Sequence, residues 1–253
     1  MRIFLILAVV LSSLLTSGPV FAQENVKPAL QNIVDNLDKL SKLGTTNKNK
    51  KNDSEEIKIR KSTFKNILEL ARIESNNLKN KLIKLDELED DYSNLRDRYL
   101  KELNNHNSYY ESIDVALEKE SSLVKIKELA IQFKDWRKIV YHPTLQKVIN
   151  FLLIFKGKDI LQIAENRFNN VSADLKKVED YEIIKNSPLA DILVKAEKSL
   201  DEAKELQSAA ELIILKANNN DIQKLIEDEL AKIKGTYKYF IEMSNWVKEA
   251  SGK

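Results

Sequence analysis

Between Phe64 and Leu117 the sequence repeats every seven residues, and this repeat constrains the fold more than any other feature. One series runs Phe64, Ala71, Leu78, Leu85, Tyr92, Tyr99, His106, Ile113; a second runs Leu68, Ser75, Leu82, Glu89, Arg96, Leu103, Tyr110, Leu117. Apolar side chains at this spacing line one stripe of an α-helix, and the stripe is stable only if another helix covers it. An unbroken helix over 64–117 would be about 80 Å long at ~1.5 Å per residue. The aromatic and polar positions in the seam predict an irregular coil, formed within the chain or between two copies. The acidic run Asp86, Glu87, Glu89, Asp90, Asp91 falls inside the repeat and reads as a solvated helix face.

The remainder of the chain agrees with a helical fold. It holds only five Gly and four Pro in 253 residues, too few for turn-rich sandwiches or barrels. At 43% hydrophobic residues it has enough apolar surface to fold. Leu30, Ile33, Val34, Leu37, Leu40 and Leu43 give residues 23–43 an amphipathic helical pattern. Residues 44–56 begin with Gly44 and the polar tract TTNKNKKN, and read as a flexible linker. The coiled-coil arm is then expected over 57–134, ending as the pattern stops at Tyr141-His142-Pro143, with a compact helical bundle over 135–253.

Within that bundle, the run Val148–Phe155 predicts a helix buried on nearly every side. Gly157 is expected to end it, with new starts at Asp159 and Ser172. Ala196, Ala203, Ala210 and Ala217 recur at intervals of seven, with Leu193, Leu200 and Ile214 three residues before an alanine and Gln207 once in that place. Small residues along one stripe admit a close neighbour. The following segment offers Ile222, Ile226, Leu230, Ile233, Tyr237, Phe240 and Val247, with Gly235 inside the helix. Residues 188–250 therefore read as an antiparallel helical hairpin. The expected class is all-α: a long antiparallel coiled-coil arm plus a compact bundle ending in an Ala-seam hairpin.

Residues 1–22, MRIFLILAVVLSSLLTSGPVFA, carry a compartment signal. Arg2 precedes an apolar core, Gly18-Pro19 breaks the helix, and Val20-Phe21-Ala22 supplies small residues at −3 and −1. This is the layout of a secretory signal peptide cleaved after Ala22, so the mature chain is expected outside the cytoplasm, in a periplasm, at the cell surface or secreted. An uncleaved anchor is the competing reading. The boundary lacks Cys, which excludes a lipoprotein anchor.

Little in the sequence suggests catalysis. Without cysteine there are no disulfides, thiolate nucleophiles or Cys-based zinc sites. No phosphate-loop, dinucleotide or metalloprotease motif occurs, and His106 and His142 have no companion at ligand spacing. The near balance of 41 basic and 39 acidic residues argues against a nucleic-acid partner. Only seven of the basic residues are Arg, the side chain suited to bidentate phosphate recognition. The expectation is an exported non-enzymatic protein without metal or cofactor, acting in protein–protein interaction or scaffolding, with homo-oligomers open to it through the coil. Alternatives are a membrane-active helical protein, suggested by Val148–Phe155, and a holdase for exported clients. Tyr92, Tyr99 and Tyr110 make the distal seam aromatic and are the candidate partner-binding residues, because Tyr joins an apolar face to a hydrogen-bonding hydroxyl. N-terminal sequencing of exported material should find Gln23 as the first residue; recovery of intact 1–22 in a membrane fraction would refute cleavage.

Overall fold

A computed structural model describes residues 26–43, 50–178, 188–216 and 222–250. The leader, residues 44–49 of the expected linker, Ala217 and the Asn218–Asn220 turn lie outside the described residues. Among the described residues the structure is helical and without strands: α1 (Val26–Leu43), α2 (Lys50–Ile83), α3 (Asp90–Lys119), α4 (Leu123–Trp136), a π-helical segment (Arg137–Tyr141), α5 (His142–Val178), α6 (Leu189–Leu215) and α7 (Ile222–Ala250). The chain divides into two compact units, with the boundary between Val148 and Ile149, inside α5.

In the first unit the heptad stripe is buried, but the helix that carries it is not continuous. Phe64, Leu68, Ala71, Ser75, Leu78, Leu82, Tyr99, Leu103, His106, Tyr110, Ile113 and Leu117 are all buried. Residues 84–89 break the helix, with Glu87 at a positive φ of 55°. The acidic run explains the break. Five carboxylates crowded into six residues repel one another on a continuous helix, whereas Asp90 and Asp91 are favoured in the first turn of a new one. The expectation of a single solvated helix face is corrected accordingly. Arg96 closes the turn by donating to the Leu85 carbonyl (3.4 Å).

The stripe thus folds back on itself. Arg72 pairs with Asp114 (2.9 Å), Ser75 donates to the Leu103 carbonyl (3.3 Å) and Asn107 to Asn76 (2.9 Å), so α2 and α3 run antiparallel. Helix α4 packs on both and α1 packs on α2, so the seam is enclosed in a bundle. Residues 50–56, expected as linker, belong to α2.

At Tyr141-His142-Pro143 the sequence predicts a stop, and the structure has a widened turn. Pro143 has no N–H and its ring crowds the carbonyl four residues back, at Ile139. The π segment relieves this by closing one residue later: the His142 amide donates to the Arg137 carbonyl.

In the second unit α5 runs straight through Gly157, Asp159 and Ser172, so the expected helix ends there are corrected. Gly157 is not a cap but a point of close approach. A Cβ there would lie 2.9 and 3.0 Å from the two Glu229 carboxylate oxygens and 3.1 Å from the Gln207 amide oxygen. The run Val148–Phe155 is buried on one face only: Val148, Phe151 and Ile154 are inside, while Leu153 is exposed.

Helices α6 and α7 form the hairpin. Ala196, Ala203 and Ala210 are fully buried, and Leu189, Ile192 and Ala196 pack with Phe240 and Met243, while Leu200 and Ala203 pack with Ile233. Descending partners against ascending residues make the pair antiparallel. Gly235 lies within α7, 3.0 Å from the Ser199 hydroxyl at its missing Cβ. Overpacking this seam with Ala203→Leu should cost about 1–3 kcal/mol in denaturant titrations. Lys195→Leu, on the exposed side of the same helix, should stay within about 0.5 kcal/mol; equal effects would mean the Ala stripe does not carry the packing.

Candidate functional site

The densest chemistry in the first unit gathers where the π segment meets α2 and α3. Glu74 lies on α2 and is completely buried, one residue before Ser75 of the seam. Arg137, 5% exposed, opens the π segment and donates from Nη2 to Glu74 Oε2 at 2.8 Å. Its Nη1 reaches the Tyr110 hydroxyl at 3.5 Å, and its guanidinium lies 4.6 Å from the centroid of Tyr141. Because the π turn closes over five residues, Arg137 and Tyr141 both face inward, while Lys138, Ile139 and Val140 between them face outward.

Aromatic rings enclose this pair. Trp136 stacks on Tyr109 (3.9 Å, 19°) and meets His106 and Tyr110 edge-on at 5.1 and 5.6 Å. Phe133 meets Phe64 at 5.6 Å and Tyr110 at 5.8 Å. Such ring pairs add about 0.5–1.5 kcal/mol each beyond their area burial.

The electrostatics follow from burial. Burial works against the Arg137 charge, but Glu74 and the phenols of Tyr110 and Tyr141 outweigh it, so the pKa is raised and the guanidinium stays charged. Burial, aided by Glu74, pushes the Tyr110 and Tyr141 phenols up, although Arg137 opposes the shift. Burial, which favours the neutral ring, lowers the His106 pKa against the opposing pull of Glu102; its Nε2 has no hydrogen-bond partner among the described residues. The arrangement fixes positions: a charge pair neutralised internally, within rings that keep their protons, sets the register of α2, α3 and the π segment.

Of the expected partner-binding residues, Tyr99 and Tyr110 are core side chains, 1% and 0% exposed, and Tyr92 is half-buried. The structure brings Tyr110 into the Arg137 cluster and leaves Tyr92 near the α2–α3 turn. The hydroxyls and rings of Tyr99 and Tyr110 face inward because the folded-back seam encloses them. Burial raises the Tyr99 pKa, opposed by Arg98. His142 is exposed at the start of α5, and Trp246 packs at the far end of the hairpin with the Leu189 cluster. Sequence reasoning passed over Glu74 and Arg137. The signal for them was an arginine, rare in this chain, six residues before a proline inside a helical pattern.

Among the described residues no group of three or more His, Cys, Asp or Glu side chains is placed to hold a metal ion. No protein-family model matches the chain, and neither a curated protein nor a solved structure matches it.

Removing one partner of the buried pair strands the other charge. Arg137→Met should destabilise the chain by about 3–5 kcal/mol, and adding Glu74→Leu should restore much of that loss. Urea titrations of the single and double variants check this; an additive double variant would mean that the two side chains do not depend on each other.

Proposed function

We propose that the chain is an exported, non-enzymatic helical protein that works by binding a protein partner. One observation supports a contact site on the outer side of the π segment. There Ile139 is 71% and Val140 43% exposed, next to each other, on a turn whose inner side is held by Arg137 and Glu74. Exposed aliphatics occur singly on most surfaces and mean little. An adjacent β-branched pair on a rigid support differs, because a partner would bury it without first ordering it. Lys138 beside the pair adds a cation at the rim, where charge guides encounter more than it adds affinity. The layout of residues 1–22 supports a location outside the cytoplasm.

A membrane-active role has weaker support. No helix among the described residues is long and apolar enough to cross a membrane, and Val148, Phe151 and Ile154 of the apolar run are in the core.

A photo-crosslinking residue at position 139, introduced in the native cell, should capture one discrete partner. A second copy with the crosslinker at Lys195 should not. Val140→Lys in the first background should abolish the adduct while helicity and Tm stay near wild type. Equal capture from positions 139 and 195, or none from 139, would refute this surface as the contact site.

A further inference from the structure

Helix α7 buries a carboxylate where its sequence offered an aliphatic side chain. Its inward positions are Ile222, Ile226, Glu229, Ile233, Thr236, Phe240 and Met243, and Glu229 is 0% exposed. Leu230, the expected seam residue, is 39% exposed. A rotation of one residue, about 100°, would bury the leucine and free the acid. The helix does not make that rotation, because a strict three–four spacing fixes the other six positions.

What faces Glu229 makes the choice more unusual. Among the described residues neither carboxylate oxygen has a hydrogen-bond partner, and the amide oxygen of Gln207 on α6 also has none. All three oxygens converge within about 3.1 Å of the missing Cβ of Gly157 on α5. The Gln207 amide cannot turn to help, because its nitrogen already donates to the Ile154 carbonyl (3.2 Å) and to Glu211 (2.8 Å). Reversed, it would set its oxygen against both acceptors. An ionised Glu229 would thus be buried among acceptors, without a donor.

We propose that Glu229 carries a proton in the folded chain and donates it to Gln207 Oε1, forming a latch that holds α7 against α5 and α6 and loosens when the proton leaves. One proton satisfies both the acid and the amide oxygen, whereas a hard cation takes six or more oxygen ligands and this sealed cluster supplies three. The charged surroundings favour the neutral acid. Glu211 on α6 repels a second negative charge, and the Lys158 ammonium of α5 lies 3.9 Å from Glu211. On α7 itself, Lys232 is engaged by Glu202. Burial first, then Glu211, raises the Glu229 pKa to about 7, so the latch titrates near neutrality. The sign follows from an acid whose pKa is higher folded than unfolded. The folded state holds the extra proton, and stability declines as pH rises from about 4.5 to about 7, the unfolded and folded values. The latch does not depend on the partner proposed above.

The test uses the whole chain as wild type and as Glu229→Gln, whose amide donates to Gln207 at any pH. Between pH 5 and 8 the folding equilibrium of wild type should fall by on the order of 100-fold more than that of the variant. Hydrogen exchange of amides 226–233, corrected for intrinsic rates, should rise in wild type alone. Taking the difference removes His106, His142 and every other shared group. Should the variant fold poorly, infrared spectra of wild type answer directly: a protonated carboxyl band present at about pH 6.5, where ordinary carboxyls are ionised, that disappears by about pH 9 supports the latch. Parallel pH profiles, or the absence of such a band, would overturn it. Stabilisation of wild type but not Glu229→Gln by calcium or potassium at pH 8 would also overturn it, in favour of a cation site.

Discussion

The first unit depends on one ion pair, Arg137 with Glu74. Neither charge is affordable alone at this depth, so the two elements that carry them are fixed to each other. The pair does not add much net stability, because desolvation offsets most of its attraction. What it contributes is uniqueness. Sliding α2 past the π segment by one turn leaves two charges stranded, whereas leucines in the same places would tolerate the slip. The rings around the pair then pack in one arrangement, and the outward residues of the π segment are held in place from beneath.

The second unit achieves specificity differently. Alanines on α6 let α7 approach closely, and Gly157 does the same for α5. Close backbones leave little room for correction, which makes the polar residues placed among them, Gln207 and Glu229, decisive. One unit thus neutralises its buried charge with a countercharge, and the other sets a lone acid among acceptors.

Much of this fold could be read from spacing. Twelve of the sixteen heptad positions from Phe64 to Leu117 are buried in α2 and α3, and the alanine repeat locates α6 against α7, because burial follows helical period. Where the helix breaks was less legible. Gly157 resembled a stop yet lies mid-helix, since a missing side chain serves close packing as well as it serves a cap. The acidic run resembled a helix face yet marks a turn, because charge repulsion is a property of several residues together and leaves no periodic trace. The Arg137 cluster was hidden for a similar reason. It joins residues 74, 110, 137 and 141 across separate helices, and no local pattern encodes that meeting. Tyr99 and Tyr110 stand at seam positions of the repeat, but which helices enclose them is not written in the repeat itself.

The π segment has a further consequence for how the chain can vary. A π turn is an α-helix with one residue too many, and everything after it is out of phase with everything before it by about 100°. Phe133, Arg137, Tyr141 and Leu145 face inward at steps of four, which a regular helix would spread over about 120° of its circumference. Deleting any one residue between Arg137 and Tyr141 would yield a more regular helix, and it would swing Leu145 and Val148 out of the core. The surplus residue is therefore a phase correction, to be kept or lost only together with the pattern on either side.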